Sequence, residues 1–328
     1  MAQIVVLGGG VSGLSSAVRL LEHGHSVEVL AREVTPHTTS DTAAAIWAPY
    51  RVELGDLIAH WSMASFRQFQ QLAADENSGV VMREGTFGFV SSAPPDWTNG
   101  IPEARLANEQ ERPVGCGSGL IARVPAIEMN RYMPWLLARV KALGAFVTRT
   151  EVTSFDEICR STDAIVNATG LGARGLANDT DLYPVRGRIV LVEQIGLERF
   201  LDIEAGDWPI GIFPRRDDIV LTGAYEINET SLKVPDGMDE GIVERCVAFE
   251  PRLAQARRLG AMSGLRPARD AVRLELDQTT DKMPVVHNYG HGGSGVTLSW
   301  GCADDVVDLI DKACGMTAEA EIPKTKLA

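Results

Sequence analysis

The chain has 328 residues, 45% hydrophobic and 23% charged, which fits a folded globular protein of two packed domains and excludes a disordered or fibrous chain. Its 31 basic and 44 acidic residues give a formal charge of −13, so a nucleic-acid partner is not expected. No apolar run approaches the roughly 20 residues that span a bilayer, so no membrane association is expected.

Gln3–Leu7 is a continuous apolar run, as a strand buried on both faces should be. It follows no basic region and leads straight into glycines, so a signal peptide is not expected. After Gly8-Gly9-Gly10-Val11-Ser12-Gly13, apolar residues at helical spacing predict a helix over Leu14–Glu22, stopped at Gly24. His25–Ala31 alternates as a second strand, which completes a βαβ unit. Loops are expected at Ala93-Pro94-Pro95 and Cys116–Gly119, then a helix over Met129–Leu143 ending at Gly144. Ala164–Val166 reads as a buried strand entering the turn Asn167–Gly170. Arg186–Glu193, Ile210–Phe213 and Asp218–Thr222 look antiparallel, the last two joined by the polar turn Pro214–Asp217. A glycine-rich stretch, Tyr289–Gly295, precedes a helix over Ala303–Ala313, and residues after Met316 form a polar tail. Strands of the α/β kind lie at the ends and middle of the chain, around an antiparallel block. The fold class expected is α/β: a Rossmann-like cofactor domain interleaved with a mainly antiparallel α+β substrate domain.

Gly8-x-Gly10-x-x-Gly13 sits between a strand and a helix, the setting in which the pattern has meaning. One glycine allows the turn, the next lets a pyrophosphate approach the backbone, and the third lets helix pack on strand. The helix N-terminus, with Gly9, Val11 and Ser12, then presents N–H groups and positive dipole to phosphates. A plain glycine turn is the alternative. The acid expected at the end of the second strand to bind ribose is Glu33, with Arg32 beside it facing the adenosine end; an exposed ion pair is the bland reading of those two. Five scattered cysteines (Cys116, Cys159, Cys246, Cys302 and Cys314) show no C-x-x-C pair, and the six histidines show no metal-ligand spacing. Free thiols in a reducing cytoplasm and no metal are expected.

Composition leaves FAD and NAD open, but longer segments resemble one family. Thr35–Tyr50 (TPHTTSDTAAAIWAPY) is similar to the flavin-contacting loop of the D-amino-acid oxidase family. So are Asn167–Gly170, Pro184–Arg188, Ser263–Arg269 followed by Val272–Glu275, and His287–Gly295 continuing to Trp300–Ala303, in the family's order over nearly the whole chain. The resemblance implies FAD held by residues 1–48, 128–182 and 267–328, and substrate held by 49–127 and 183–266. It implies flavin or phosphate contacts from Thr38, Thr39, Ser40, Ala45 and Ile46, an adenine contact at the Val152 backbone, and further contacts at Thr169 and Gly170. Gly290, Gly292, Gly293, Gly295, Val296 and Thr297 would bring backbone and a helix dipole to the isoalloxazine ring, with Arg266 nearby.

By the same resemblance Arg266 pairs with the substrate α-carboxylate through two parallel charge-assisted hydrogen bonds. Tyr225 would reach the carboxylate or the amine, and the Gly293 carbonyl would hold the amine; these three are the expected catalytic group. Ser294, Ala48, Tyr50, Gly211 and Phe213 would complete the substrate pocket, while His291 supports its loop. The implied reaction is oxidative deamination of neutral D-amino acids. Hydride passes from Cα to flavin N5 and leaves an imino acid, which water hydrolyses to the 2-oxo acid and ammonia, while dioxygen reoxidises the flavin and yields hydrogen peroxide.

Two departures from the family pattern matter. Gly211 stands where a second substrate tyrosine is usual, and Ala48 stands where some members carry a polar side chain; both would free space for bulkier substrates. Close relatives that act on D-aspartate carry arginine near the position of Tyr225, so tyrosine favours neutral substrates. Arg51, Arg215, Arg216 and Arg269 are the other cations to consider, with Arg215 and Arg216 expected in solvent on their turn. A D-aspartate, glycine or sarcosine oxidase of the same fold, or a flavin-binding protein with little turnover, are the competing readings. The ending Lys326-Leu327-Ala328 departs from the family's peroxisomal tripeptide, so cytoplasm is preferred, and a homo-oligomer is left open.

Overall fold

The computed structural model describes residues 1–49, 55–158, 162–204, 209–277 and 283–316. In chain order it runs β1 (Gln3–Leu7), α1 (Val11–Glu22), β2 (Ser26–Ala31), α2 (Asp56–Leu72), β3 (Val80–Phe89), β4 (Arg105–Leu106) and β5 (Ser118–Ile127). Then come α3 (Met129–Ala142), β6 (Phe146–Arg149), β7 (Ala164–Asn167), α4 (Ala173–Leu176), β8 (Tyr183–Glu193), β9 (Phe200–Glu204) and β10 (Ile210–Pro214). The chain closes with β11 (Asp218–Thr222), β12 (Glu226–Ile227), α5 (Met238–Phe249), β13 (Arg258–Asp277), β14 (Val285–His291) and α6 (Gly295–Ala313).

One sheet of 14 strands carries the molecule, in the order β4-β5-β3-β9-β10-β11-β8-β13-β14-β7-β1-β2-β6, with β12 pairing β8 beside this path. Its β14-β7-β1-β2-β6 end is parallel, and its central strands β1 and β7 are mainly apolar and buried. Helices α1 and α6 pack against each other on that end, with Leu14, Val18, Val306 and Ile310 buried beneath them. The other end is mainly antiparallel, with β3 and β9 as a parallel pair. Strand β13 joins the two ends. Its first half pairs with β8 and its second with β14, and the register shifts between Ala268 and Arg273.

The expected strand-glycine-helix-strand opening is present, with the helix starting three residues earlier than its apolar spacing predicts. A larger difference is α6, which begins at Gly295 and not at Ala303. The Gly295–Cys302 stretch has weak helix propensity, and burial carries it instead. Trp300 is enclosed, its indole N–H donating to the Tyr132 hydroxyl at 3.0 Å, while the Ser65 hydroxyl accepts from the Trp300 and Gly301 amides. The four described cysteines are free thiols; Cys159 lies outside the described residues. Among the described residues no helix is long and apolar enough to cross a membrane, and no His/Cys/Asp/Glu cluster has metal-binding geometry.

Candidate active site

A cavity of about 880 Å³ runs between the two ends of the sheet, at the upper end of the roughly 300–1,000 Å³ usual for small-molecule sites. Its parallel-end wall is the turn after β1. Gly10 caps α1 in extended conformation without a side-chain cap, and the Val11 amide donates to the Ser40 hydroxyl at 3.0 Å. A Cβ on Gly9 would stand 2.6 Å from the Glu33 carbonyl oxygen, so only glycine leaves this cradle open. Gly8, Gly9, Gly10, Val11 and Ser12 all line the cavity. Gly13 lies behind them, where any Cβ would overlap the Gly8 carbonyl; its absent side chain permits helix–strand packing.

Arg32, Glu33 and Val152 line the same end. Neither member of the dipeptide pairs with the other. Glu33 accepts from Arg149 of β6 at 2.7 Å, and Arg32 faces Glu151 at 3.5 Å. The Thr38–Ser40 turn also lines the cavity. There the Thr38 amide and hydroxyl both donate to Asp41, at 2.9 and 2.6 Å, so Thr38 holds the loop shape with its own side chain. Ala45 and Ile46 complete this wall, and Ala45 has a positive φ of 55°.

Across the cavity, Thr169 and Gly170 after β7 and Gly292, Gly293, Gly295, Val296 and Thr297 at the start of α6 present backbone to its middle. The Thr297 hydroxyl donates to the Ala48 carbonyl at 2.8 Å and accepts from the Ala48 amide at 3.3 Å. This pair of bonds ties the loop to the helix. His291, 3% exposed, is pushed down to about 4 by burial and is therefore neutral near pH 7. Its Nε2 and the Asn288 Oδ1 are buried in the cavity wall without a partner among the described residues.

The antiparallel end supplies the far wall. Arg266 projects from β13 across β8, and its guanidinium lies on the bare face of Gly187, where a Cβ would stand 2.5 Å from Nη1. Nη1 approaches the Ala224 carbonyl at 3.5 Å, and the guanidinium carbon stands 5.6 Å from the Tyr225 ring centroid. Ile189, Phe213, Thr222, Ala48 and Asp202 continue this wall.

Several expected site residues sit elsewhere. Tyr225 is not among the lining residues; it packs against Arg266. Ser294 is buried as the residue preceding α6, and Gly290 turns the β14 backbone against Arg269 with a φ of 82°. Gly211 does not free space. The Phe213 ring and the Thr222 methyl occupy the position its Cβ would take. Arg215 is not in solvent: it is 5% exposed and donates to the Ala43 carbonyl at 3.1 Å, bracing the loop. Tyr50 and Arg51 lie outside the described residues. Sequence reasoning missed Gly187, Thr42, Thr222 and Asp202. Gly187 was within a recognised segment, whereas Asp202 and Thr222 reach the cavity only through strand register.

The cradle, the unpartnered polar atoms on its wall and the cavity's volume fit a dinucleotide cofactor. A family profile described as FAD dependent oxidoreductase (DAO) matches residues 3–309. The chain is 43% identical to a D-amino-acid oxidase of Rubrobacter xylanophilus, over 95% of this chain and 97% of that protein. It is 40% identical to a D-amino-acid oxidase of Streptomyces coelicolor, over 94% and 96%. Among solved structures, glycine oxidase from Geobacillus kaustophilus shares the fold at a TM-score of 0.79 and 17% identity, with 95% of each chain covered. The chain belongs to the DAO family of FAD dependent oxidoreductases.

Proposed function

We propose that this protein is a D-amino-acid oxidase, converting D-amino acids, water and dioxygen to 2-oxo acids, ammonia and hydrogen peroxide. One observation carries the reading. The Arg266 guanidinium is presented on Gly187 at the far wall of the same cavity that holds the Gly8–Ser12 cradle. Segments 1–48, 128–182 and 267–328 would hold FAD, and 49–127 and 183–266 the substrate.

FAD, when bound, supplies the two-electron acceptor and the route to dioxygen. The chain's own residues supply position. Arg266 would receive the α-carboxylate in a bidentate pair, which a planar guanidinium makes and an ammonium does not. Tyr225 packs its ring 5.6 Å from that guanidinium and acts as a positioning residue. Thr297 fixes Ala48, so the apolar wall of Ala48, Ile46 and Phe213 keeps the side-chain space dry and shaped. His291 is neutral and sits on the Gly292–Gly295 turn, which suits a support for that turn more than a base. Fixed orientation of Cα–H then provides most of the acceleration.

The test is a peroxide and 2-oxo acid assay over D- and L-amino acids, glycine, sarcosine and D-aspartate. Turnover confined to D-amino acids other than D-aspartate is expected. Turnover of glycine and sarcosine alone would move the protein to the neighbouring amine-oxidase activity, and of D-aspartate alone to the acidic one.

A further inference from the structure

The side-chain end of the substrate cavity carries a carboxylate. Asp202 on β9 faces Gly211 across the β9–β10 pair and lines the cavity beside Phe213 and Thr222. The charged residues lining the cavity, among those described, fall into three places. Arg32, Glu33 and Glu151 stand at the cradle end, Arg266 on the far wall, and Asp202 beyond it. No hydrogen bond or ion pair to a described residue neutralises Asp202, and its nearest charged influence is Glu204, of the same sign. Burial and that neighbour lift its carboxyl up to about 7. Asp202 is half-buried and opens onto the cavity, and a cation placed against it would favour its ionised form.

The strand order gives the span. Arg266 lies over Gly187 of β8, and β11 and β10 separate β8 from β9. Asp202 stands in register with Ile189, two residues along β8 from Gly187, so three inter-strand spacings and that offset place the two strand positions about 16 Å apart. A substrate Cα sits next to its carboxylate and hence next to Arg266, too far from Asp202 for that carboxylate to act on it as a base. The distance suits a side chain with a stem of three or four carbons and a terminal cation, bonded at both ends through contacts of about 3 Å.

Resting on the D-amino-acid oxidase reading, we infer that Asp202 is a specificity residue that selects D-amino acids with long cationic side chains, of the lysine, ornithine and arginine class. Uncharged chains fill the apolar wall without engaging it. Acidic chains are repelled, which sets this site apart from one for D-aspartate.

The experiment compares kcat/KM for D-lysine and D-arginine with that for D-norleucine, which keeps the stem and drops the charge. It uses the FAD-bound enzyme and its Asp202→Asn and Asp202→Leu variants, each checked for its flavin spectrum. The expected result is a D-lysine to D-norleucine ratio that falls at least tenfold in Asp202→Asn, mainly through KM, and further in Asp202→Leu, with D-norleucine improving in the latter. A ratio that stays within twofold in both variants overturns the assignment, as does a parent enzyme that oxidises D-norleucine but not D-lysine. Failure to oxidise either compound, or any other D-amino acid, would instead remove the oxidase reading itself.

Discussion

Arg266 illustrates how much of the site depends on a neighbour with no side chain. Its guanidinium lies where Gly187 leaves a bare backbone, and the Tyr225 ring stands 5.6 Å from it. Two hydrogen bonds to a charged group contribute about 3–6 kcal/mol in total, so Arg266→Ala should lower kcat/KM by about 10²–10⁴-fold while the flavin stays bound. Steady-state kinetics beside an absorbance spectrum check this; near-normal turnover would remove Arg266 from its role. Gly187→Val should mimic part of that loss, since the new side chain displaces the guanidinium without touching the cradle. A fall of about 10–100-fold in kcat/KM at full flavin content is expected. Loss of flavin without loss of substrate affinity would contradict the geometry. The arginine was legible in the sequence because it lay inside a long family-like segment. Asp202 was not, because a lone aspartate in a short strand has meaning only through its register opposite Gly211.

At the level of elements, the β1–α1 turn was the most legible part of the chain. Its signal is local: an apolar run, glycines at fixed spacing and a helical repeat within about 30 residues. The cradle depends on contact between that turn and the end of β2. Gly9→Val would drive a Cβ into the Glu33 carbonyl, so the purified variant should carry little FAD. Flavin content measured against protein checks this, and full occupancy would contradict the assignment of the cradle. Other elements were hidden for identifiable reasons. Helix α2 begins at an uncapped Gly55, and its apolar face shows only once it is packed against α6, β3 and β5. Strand β13 runs 20 residues through Gly260, Gly264 and Pro267, which locally read as breaks. Pairing on both sides, by β8 and then β14, overrides those signals.

For the whole molecule, buried histidines link stability to pH. His25, His287 and His291 are each lowered from the usual value, chiefly by burial, and His291 falls to about 4. Between about pH 6.5 and 4 the unfolded chain therefore binds protons that the folded chain does not, and stability falls as pH drops through that window. Each histidine contributes at most about 1.4 kcal/mol per pH unit there. Melting temperatures of the FAD-bound protein should fall steadily from pH 7 to 5, with a shallower slope in His291→Gln. A flat profile across that range would contradict the burial of these imidazoles. Interleaving of the two sheet ends was legible from the order of parallel and antiparallel signals. That they share one continuous sheet was not, because the connection rests on β13 alone.

The central claim is that this cavity delivers the Cα–H of a D-amino acid to bound flavin. Anaerobic rapid mixing of the FAD-bound protein with the two enantiomers of one amino acid, norleucine, tests it most directly. Flavin absorbance near about 450 nm should bleach with the D-form alone and return on admitting air, with hydrogen peroxide released. An unbleached flavin with the D-form, or equal bleaching by both enantiomers, would contradict it.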